Sequence, residues 1–165
     1  MIRRCSIDDF EAIHAIINDA AQAYKGHIPA DRWHEPYMSE DYLRHELEAG
    51  VSFWGREGEG KLLGIMGIQD VKDVTLVRHA YVRTSERGRG IGGSLITHLK
   101  SHAVRPMLVG TWQAADWAIR FYEKHGFQLV TWQEKEHLLR KYWNIPERQT
   151  ETSVVLADQR WREEG

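Results

Sequence analysis

The chain has 165 residues, enough for one domain with a sizeable core and too few for two domains of the usual size. Apolar residues make up 42% of it and seven residues are tryptophan, which indicates a folded globular protein and excludes a disordered one. With 22 basic and 24 acidic side chains the formal charge is −2, so we expect no nucleic-acid partner and no membrane partner. The start of the sequence has no apolar signal segment, no stretch reaches transmembrane length, and the lone Cys5 cannot form an internal disulfide. These features predict a cytoplasmic location.

The first third of the chain is predicted to contain a short edge strand at 1–5 and two helices separated by a loop. Ser6, with Asp9 three residues later, has the pattern of a capping box, and Ser39 opens the second helix. The apolar positions are Phe10, Ile13, Ile17, Ala20 and Tyr24 in the first helix and Tyr42, Leu43 and Leu47 in the second. The aromatic-rich loop 27–38 either covers a pocket or packs over the first helix, and the sequence favours neither.

Three antiparallel strands are predicted at 51–56, 61–71 and 74–82, joined by turns at 57–60 and 72–73. An amphipathic helix follows a glycine-rich turn, with Ile91, Leu95, Ile96, Leu99 and Ala103 at helical spacing. This part of the chain therefore predicts a sheet that leads into a helix.

The last third is predicted to contain strands at 106–111, 127–132 and 152–157, and a helix at 114–125 that ends at Gly126. A charged stretch at 134–150 has four large apolar or aromatic residues embedded in it: Leu138, Leu139, Tyr142 and Trp143. Residues 158–165 are predicted to form a polar tail. The order of these elements predicts an α/β fold with a mixed sheet that is mainly antiparallel at its start.

The turn at 87–93 has chemistry suited to phosphate. A helix N-terminus has free N–H groups and a partial positive charge that attract phosphate. Glycine allows the backbone to approach a diphosphate closely, and Arg87 and Arg89 add guanidinium donors. The glycines are Gly88, Gly90, Gly92 and Gly93. The sequence predicts a phosphate-binding turn, and the alternative is a turn that only starts a helix.

Two common nucleotide-binding motifs do not fit this turn. A P-loop requires Gly-Lys-Ser/Thr, whereas Gly93 is followed by Ser94 and Leu95. The glycines also satisfy the dinucleotide pattern G-x-G-x-x-G, which calls for an acidic residue some twenty positions later, at the end of the next strand. That strand ends at Gly110 and Thr111 without an acidic residue.

Arg87-x-x-Gly90-x-Gly92, after a strand that ends in Tyr81 and Val82, resembles the pyrophosphate-binding motif of the GNAT N-acetyltransferases. Residues 117–127, Trp-Ala-Ile-Arg-Phe-Tyr-Glu-Lys-His-Gly-Phe, resemble a second signature of that family. The resemblance covers roughly residues 60–132. It implies a single N-acetyltransferase domain over 1–165 with the GNAT acyl-CoA N-acyltransferase fold, a mixed, splayed central sheet flanked by helices. It also implies that the insertion at 131–150 lies near the acceptor side.

The resemblance implies direct transfer of an acetyl group from acetyl-CoA to a primary amine in a ternary complex, without a metal. The turn at 87–93 would bind the coenzyme A diphosphate, and the backbone of Tyr81 and Val82 would bind the pantetheine arm. Tyr122 would contact the cofactor and protonate the departing thiolate, although position alone makes it a buried helix residue. The acceptor would be a small-molecule amine or an amine of a peptide or protein. A non-catalytic acyl-CoA-binding or sensory module is the alternative, and Tyr122 favours the enzyme.

The catalytic base is not given by the motif. Many family members carry a glutamate on the central strand, but residues 74–81 contain no carboxylate. His79 lies on this strand and titrates near neutral pH, so it is the candidate base, with Asp70, Asp73 or a water chain as alternatives. A hydrogen-bonded histidine without a catalytic role is equally consistent with the sequence. Ala115 stands where the family often has an asparagine that contacts coenzyme A, so this contact is expected to be lost.

Acceptor selection is predicted to depend on the aromatic part of the loop, residues 33–37, and on the insertion at 134–150. Trp33, Tyr142 and Trp143 could stack on an apolar or cationic acceptor, and Glu134 and Glu136 would attract its ammonium group. The insertion could equally be a flap or a homodimer contact. His98 and His102 have the spacing of a helical metal-ligand pair but lack an obvious third ligand, so a solvated helix face is the preferred interpretation.

Overall fold

A computed structural model describes residues 1–143, 145 and 147–164. Positions 144 and 146 of the predicted insertion, and 165 of the predicted tail, lie outside the described residues. The strands are β1 (Ile2–Arg4), β2 (Ser52–Gly58), β3 (Lys61–Val71), β4 (Val74–Val82), β5 (Met107–Trp112), β6 (Gln128–Leu129) and β7 (Ser153–Ala157). The α-helices are α1 (Phe10–Ala20), α2 (Glu40–Glu48), α3 (Ile91–His102), α4 (Asp116–Lys124), α5 (Trp132–Tyr142), α6 (Glu147–Glu151) and α7 (Gln159–Glu164). Within the described ranges, none of these helices has both the length and the apolar character needed to cross a membrane.

The strands are hydrogen-bonded in the order β1-β2-β3-β4-β5-β7-β6. Pairs β1–β2, β2–β3, β5–β7 and β6–β7 are antiparallel, whereas β4 and β5 are parallel. The parallel register joins Thr75, Leu76 and Val77 to Met107, Leu108 and Val109. The predicted α/β fold with a mixed, mainly antiparallel sheet is therefore confirmed.

The chain divides into two compact units. Unit 1 comprises Met1–Gln69 and Arg78–His102, and unit 2 comprises Asp70–Val77 and Ala103–Gly165. Strand β4 contributes its first four residues to unit 2 and its last five to unit 1. The glycine-rich turn and His79 therefore belong to unit 1, whereas Tyr122 belongs to unit 2.

The core of unit 1 forms where α1 and α2 pack on β2 and β3. Its buried residues include Ile13, Ile16, Ile17, Leu43, Val51, Phe53, Leu62 and Ile65. The predicted capping box is confirmed, because the Asp9 carboxylate accepts a hydrogen bond from the Ser6 amide at 2.8 Å. The prediction that Tyr42 faces the core is wrong, since this residue is 49% exposed. On α2 the buried face centres on Leu43 and includes Glu46 one turn later, so Tyr42 lies at the rim of that face.

The loop at 27–38 packs on the end of the first helical segment. One short 3-10 turn, Ala30–Arg32, interrupts it. The Tyr37 ring stacks on the Trp33 ring, with centroids 5.8 Å apart, and lies 5.4 Å from the Tyr24 ring. The sequence left two alternatives open for this loop. For Tyr37, the structure shows the one in which the loop packs over the first helix.

In unit 2 the insertion forms helix α5 and contributes to the core. Leu138, Leu139 and Tyr142 are buried with Val74, Leu76, Leu108, Val155 and Ala157. The Tyr142 hydroxyl donates a hydrogen bond to the Asp73 carboxylate at 2.5 Å. Tyr142 therefore has a packing role instead of the expected contact with the acceptor. Its ring is buried in the core of unit 2 and its hydroxyl is hydrogen-bonded within the same unit.

Two local predictions in unit 2 are wrong. The strand predicted at 127–132 is only Gln128–Leu129, because Thr131 caps a helix that begins at Trp132. The Glu134 carboxylate accepts a hydrogen bond from the Thr131 amide at 3.0 Å, so it completes a capping box. The prediction of a polar tail is also wrong for Trp161, which lies in α7 (Gln159–Glu164) and packs against the core of unit 2.

Candidate functional site

Strand β3 allows α3 to lie directly on the sheet of unit 1. A Cβ added to Gly64 would lie 2.8 Å from Cγ2 of Ile91, the first residue of α3, and 3.3 Å from the Tyr81 carbonyl oxygen. A Cβ at Gly67 would lie 2.6 Å from the Arg78 carbonyl oxygen. Because Gly64 and Gly67 have no side chains, both β4 and the start of α3 lie close to the backbone of β3.

Substitution of Gly64 by alanine should displace the start of α3. Ile91 is buried and its Cγ2 atom would overlap the new methyl group, so we expect a loss of stability of about 1–3 kcal/mol. Thermal unfolding monitored by circular dichroism measures this loss. An unchanged melting temperature would contradict close packing between β3 and the start of α3.

The glycine-rich turn adopts the backbone that its sequence predicts. Gly88 and Gly90 have φ values of 79° and 74°, in the left-handed region that glycine adopts without strain. The first hydrogen bond of α3 runs from the Ser94 amide to the Gly90 carbonyl at 3.0 Å. The three amides before Ser94 therefore have no acceptor within the helix, and they are the groups that would bind a phosphate.

The cations around this turn are held by neighbouring side chains. Arg87 is exposed, and the Arg89 guanidinium pairs with the Glu86 carboxylate. On β2, Arg56 donates a hydrogen bond from NH1 to the Ser94 hydroxyl at 2.8 Å, which places a third guanidinium at the first turn of α3. The sequence pattern did not indicate Arg56, because it lies on a distant strand.

The turn is also anchored to α1. The Asp19 carboxylate accepts hydrogen bonds from the Thr84 amide at 2.8 Å and from the Thr84 hydroxyl at 3.0 Å. Thr84 begins the 3-10 turn Thr84–Glu86 that leads into the glycines. This contact fixes the segment between β4 and the glycine-rich turn.

His79 lies in a polar cluster that joins β4 to α2. Its Nε2 atom is 2.6 Å from Oε1 of Glu46, and the same oxygen accepts a hydrogen bond from NH2 of Arg78 at 3.1 Å. The Arg78 NH1 group donates to the Gln69 side chain at 3.0 Å. Sequence reasoning missed Glu46, although its position three residues after buried Leu43 places it on the same helix face.

Burial and the neighbouring charges set the protonation of this cluster. Burial lowers the pKa of His79 and the charge of Arg78 lowers it further, whereas the hydrogen bond to Glu46 raises it. Burial by itself would raise the pKa of Glu46, but the hydrogen bond from His79 and the charge of Arg78 lower it below its usual value. The cluster therefore holds a carboxylate next to a neutral imidazole at neutral pH.

The alternative base candidates, both in unit 2, are engaged elsewhere. Asp70 accepts a hydrogen bond from the Thr75 hydroxyl at 2.6 Å, and Asp73 accepts from Tyr142. The hydrogen bond from Tyr142 lowers the pKa of Asp73, which makes it a weaker base. These contacts favour His79 among the candidates.

Tyr122 is the one residue of α4 that is fully buried, with 5% of its surface exposed. Its ring packs edge-on against Phe121 and Phe127 at centroid distances of 5.1 and 5.7 Å. Trp117, at the start of the same helix, is 38% exposed. Ala115 is buried immediately before α4 and its short side chain makes no capping hydrogen bond.

Two further candidates have ordinary packing roles. The Trp143 ring lies against β5, where a Cβ added to Gly110 would be 3.4 Å from it. His98 and His102 have ring centroids 4.5 Å apart, and His98 also packs on Trp54. Among the described residues, no group of three histidine, cysteine, aspartate or glutamate side chains is placed to hold a metal ion.

Comparison with known proteins agrees with this arrangement. A family profile described as acetyltransferase (GNAT) domain matches residues 49–129, which contain strands β2 to β6, the glycine-rich turn and both sequence motifs. The chain contains a GNAT acetyltransferase domain. The matched domain makes it an acetyltransferase that uses acetyl-CoA.

Solved structures show the same fold across nearly the whole chain. An acetyltransferase of the GNAT family from Staphylococcus aureus Mu50 has a TM-score of 0.69 at 16% identity, with 96% of this chain and 97% of that chain covered. The PaiA N-acetyltransferase from Thermoplasma acidophilum, in complex with coenzyme A, has a TM-score of 0.68 at 16% identity, with the same coverage. The ribosomal-protein-S18-alanine N-acetyltransferase from Escherichia coli has a TM-score of 0.69 at 18% identity, with 96% and 92% covered.

Proposed function

We propose that this GNAT protein transfers an acetyl group from acetyl-CoA directly to a primary amine within a ternary complex. The observation that carries the proposal is the turn before α3, where Gly88 and Gly90 have positive φ and the first amides of the helix follow. Such a turn suits a diphosphate, and Arg87 and Arg89 supply cations beside it. The structure from Thermoplasma acidophilum that shares this fold contains coenzyme A, which supports the same cofactor here.

The proposed reaction assigns a task to each part of the site. The backbone of Tyr81 and Val82, at the end of β4, binds the amides of the pantetheine arm. His79 accepts a proton from the acceptor amine, and Tyr122 donates a proton to the thiolate of coenzyme A. A phenol with a pKa near 10 is matched to a thiolate of similar basicity, so this transfer needs little driving force.

Thiol release from acetyl-CoA in the presence of a panel of amines tests the proposal. The panel should contain small amines, amino acids and peptides, including a peptide with N-terminal alanine, the residue named for the relative from Escherichia coli. Thiol release together with an N-acetyl product in mass spectrometry would support the enzyme. Tight binding of acetyl-CoA without release for any amine would favour the sensory module.

We propose that the aromatic loop selects the acceptor. The rings of Trp33, Tyr37, Tyr24 and Tyr81 form a continuous series, with successive centroids 5.8, 5.4 and 6.2 Å apart. The series links the loop to the end of β4, where the pantetheine arm is proposed to bind. A half-buried aromatic surface there would bind an apolar or cationic amine by stacking and cation–π contact.

The substitution Trp33→Ala should raise the Michaelis constant for the acceptor about 3- to 30-fold and leave acetyl-CoA affinity unchanged, because one aromatic contact is worth roughly 0.5–2 kcal/mol. Steady-state kinetics with the acceptor identified above measures this change. Trp143→Ala is the comparison variant, since Trp143 packs in unit 2 and its loss should lower stability only. Normal acceptor kinetics together with a changed oligomeric state in sizing experiments would assign Trp33 to an interface.

A further inference from the structure

Glu46 is a buried carboxylate whose position in α2 needs a reason. Its side chain is 6% exposed, on a helix face otherwise occupied by Leu43 and other core residues. Burying a carboxylate is unfavourable unless it is paired and hydrogen-bonded, and a leucine would fill such a position without this cost. Glu46 forms ion pairs with Arg78 and His79, which are consecutive on β4.

The contact with Glu46 determines which nitrogen of His79 carries the proton. A carboxylate only accepts hydrogen bonds, so the nitrogen at 2.6 Å, Nε2, must be the donor. In the neutral ring the lone pair is then on Nδ1. Among the described residues, Nδ1 of His79 has no hydrogen-bond partner, and 14% of this side chain is exposed. The ring therefore has a fixed donor side and an available acceptor side.

The backbone at His79 is also unusual. Its φ is 57°, within the nine-residue strand β4, whereas residues with a Cβ rarely adopt the left-handed region. A residue in this conformation interrupts the regular alternation of side chains along a strand. Strained backbone of this kind collects at functional sites, where the surrounding structure maintains it. The hydrogen bond to Glu46 is a contact that maintains the ring in place.

We propose that Glu46 is a positioning residue for acetyl transfer, and that it holds His79 as the Nε2–H tautomer so that Nδ1 accepts the proton of the acceptor amine. The inference deepens the proposed function and rests on it. Overall, the ammonium form of the acceptor and acetyl-CoA give an N-acetyl amide, the thiol of coenzyme A and one proton.

Each proton has a place in this scheme. Nδ1 of His79 takes the first proton of the ammonium, and the amine lone pair forms a bond to the acetyl carbonyl carbon. The carbon–sulfur bond then breaks as the carbonyl double bond re-forms, and the thiolate takes a proton from Tyr122. The second proton of the nitrogen passes to solvent, and solvent returns one proton to Tyr122. The imidazolium, stabilised by the Glu46 carboxylate, releases its proton to solvent as the one proton of the overall reaction.

The groups that face His79 determine how its basicity responds to substitution. Glu46 from α2 and Arg78 from β4 are the charged ones, and they act in opposite directions on the pKa of His79. Tyr42 from α2 lies edge-on with its centroid 6.5 Å away, and Phe53 from β2 stacks at 6.2 Å. Removing the charge of Glu46 should therefore lower the pKa of His79, and removing the charge of Arg78 should raise it.

Two matched variants, Glu46→Gln and Arg78→Gln, separate positioning from packing. Both remove one partner of the same ion pair, so a merely structural role would change the kinetics of both variants in the same direction. We expect the acid limb of the kcat/KM profile to move to lower pH in Glu46→Gln, with kcat reduced at least about tenfold, because the base is weaker. In Arg78→Gln the limb should move to higher pH. Shifts in the same direction, or a wild-type profile in Glu46→Gln, would overturn the inference.

Nitrogen NMR of histidine-labelled protein provides a readout that does not depend on activity. The ring signals of His79 are those missing from His79→Asn, a variant chosen because asparagine tolerates positive φ. At pH 7 these signals should show a neutral ring with the proton on Nε2, and the Nδ1–H tautomer or an imidazolium would overturn the inference. If the NMR result is as expected but wild-type protein acetylates no amine, the proposed function fails, and the base role fails with it.

Discussion

Gly90→Glu should abolish measurable binding of coenzyme A. The new carboxylate would lie at the N-terminus of α3, where the free amides and the helix dipole attract an anion. It would occupy the position proposed for the diphosphate and repel it. Losing two charge-assisted hydrogen bonds at roughly 1.5–3 kcal/mol each predicts a fall in affinity of about 100-fold or more. Titration calorimetry with coenzyme A measures the effect, and Gly92→Glu should behave in the same way.

Gly60→Glu is the matched control for this experiment. Gly60 and Gly90 have φ values of 80° and 74°, and a Cβ at either position meets no atom within 4 Å. Both variants therefore carry the same backbone strain and the same new charge, but Gly60 lies in the turn between β2 and β3. A folded Gly90→Glu protein with wild-type affinity, or an equal loss in Gly60→Glu, would remove the glycine-rich turn from the proposed site.

The sequence predicted well the features that depend on neighbouring residues. The turn at 72–73, the capping box at Ser6 and the glycine-rich start of α3 are all local, and the structure contains each of them. The strand predicted through Trp132 failed for a local reason as well. Thr131 and Glu134 form a capping box, and their pattern outweighs the β-propensity of the residues before them.

What the sequence could not predict depends on contacts between distant segments. Glu46 and His79 are 33 residues apart, and only the packing of α2 on the sheet brings their side chains together. In the sequence, the absence of a carboxylate from residues 74–81 indicated that the family's usual base is missing from the central strand. The structure of unit 1 supplies a carboxylate from a helix instead, which a search along the strand alone would not find.

Tyr122→Phe should reduce turnover by up to roughly 100-fold and leave coenzyme A affinity nearly unchanged. The substitution removes one hydroxyl and little volume, so the packing of the ring against Phe121 and Phe127 is retained. Single-turnover measurement of thiol release isolates the chemical step from product release. The effect should become smaller above about pH 10, because a thiolate is then stable without a proton and a phenol no longer carries one to donate.

Tyr142→Phe provides the comparison, because it removes a hydroxyl from the other fully buried tyrosine among the described residues. Tyr142 is 7% exposed and its hydroxyl donates to Asp73. Its loss should lower stability by about 1 kcal/mol without changing turnover. The pair thus distinguishes a hydroxyl that stabilises the fold from one that takes part in the reaction. Full turnover in Tyr122→Phe, with stability lowered as in Tyr142→Phe, would make Tyr122 a core residue and leave the thiolate without its proposed acid.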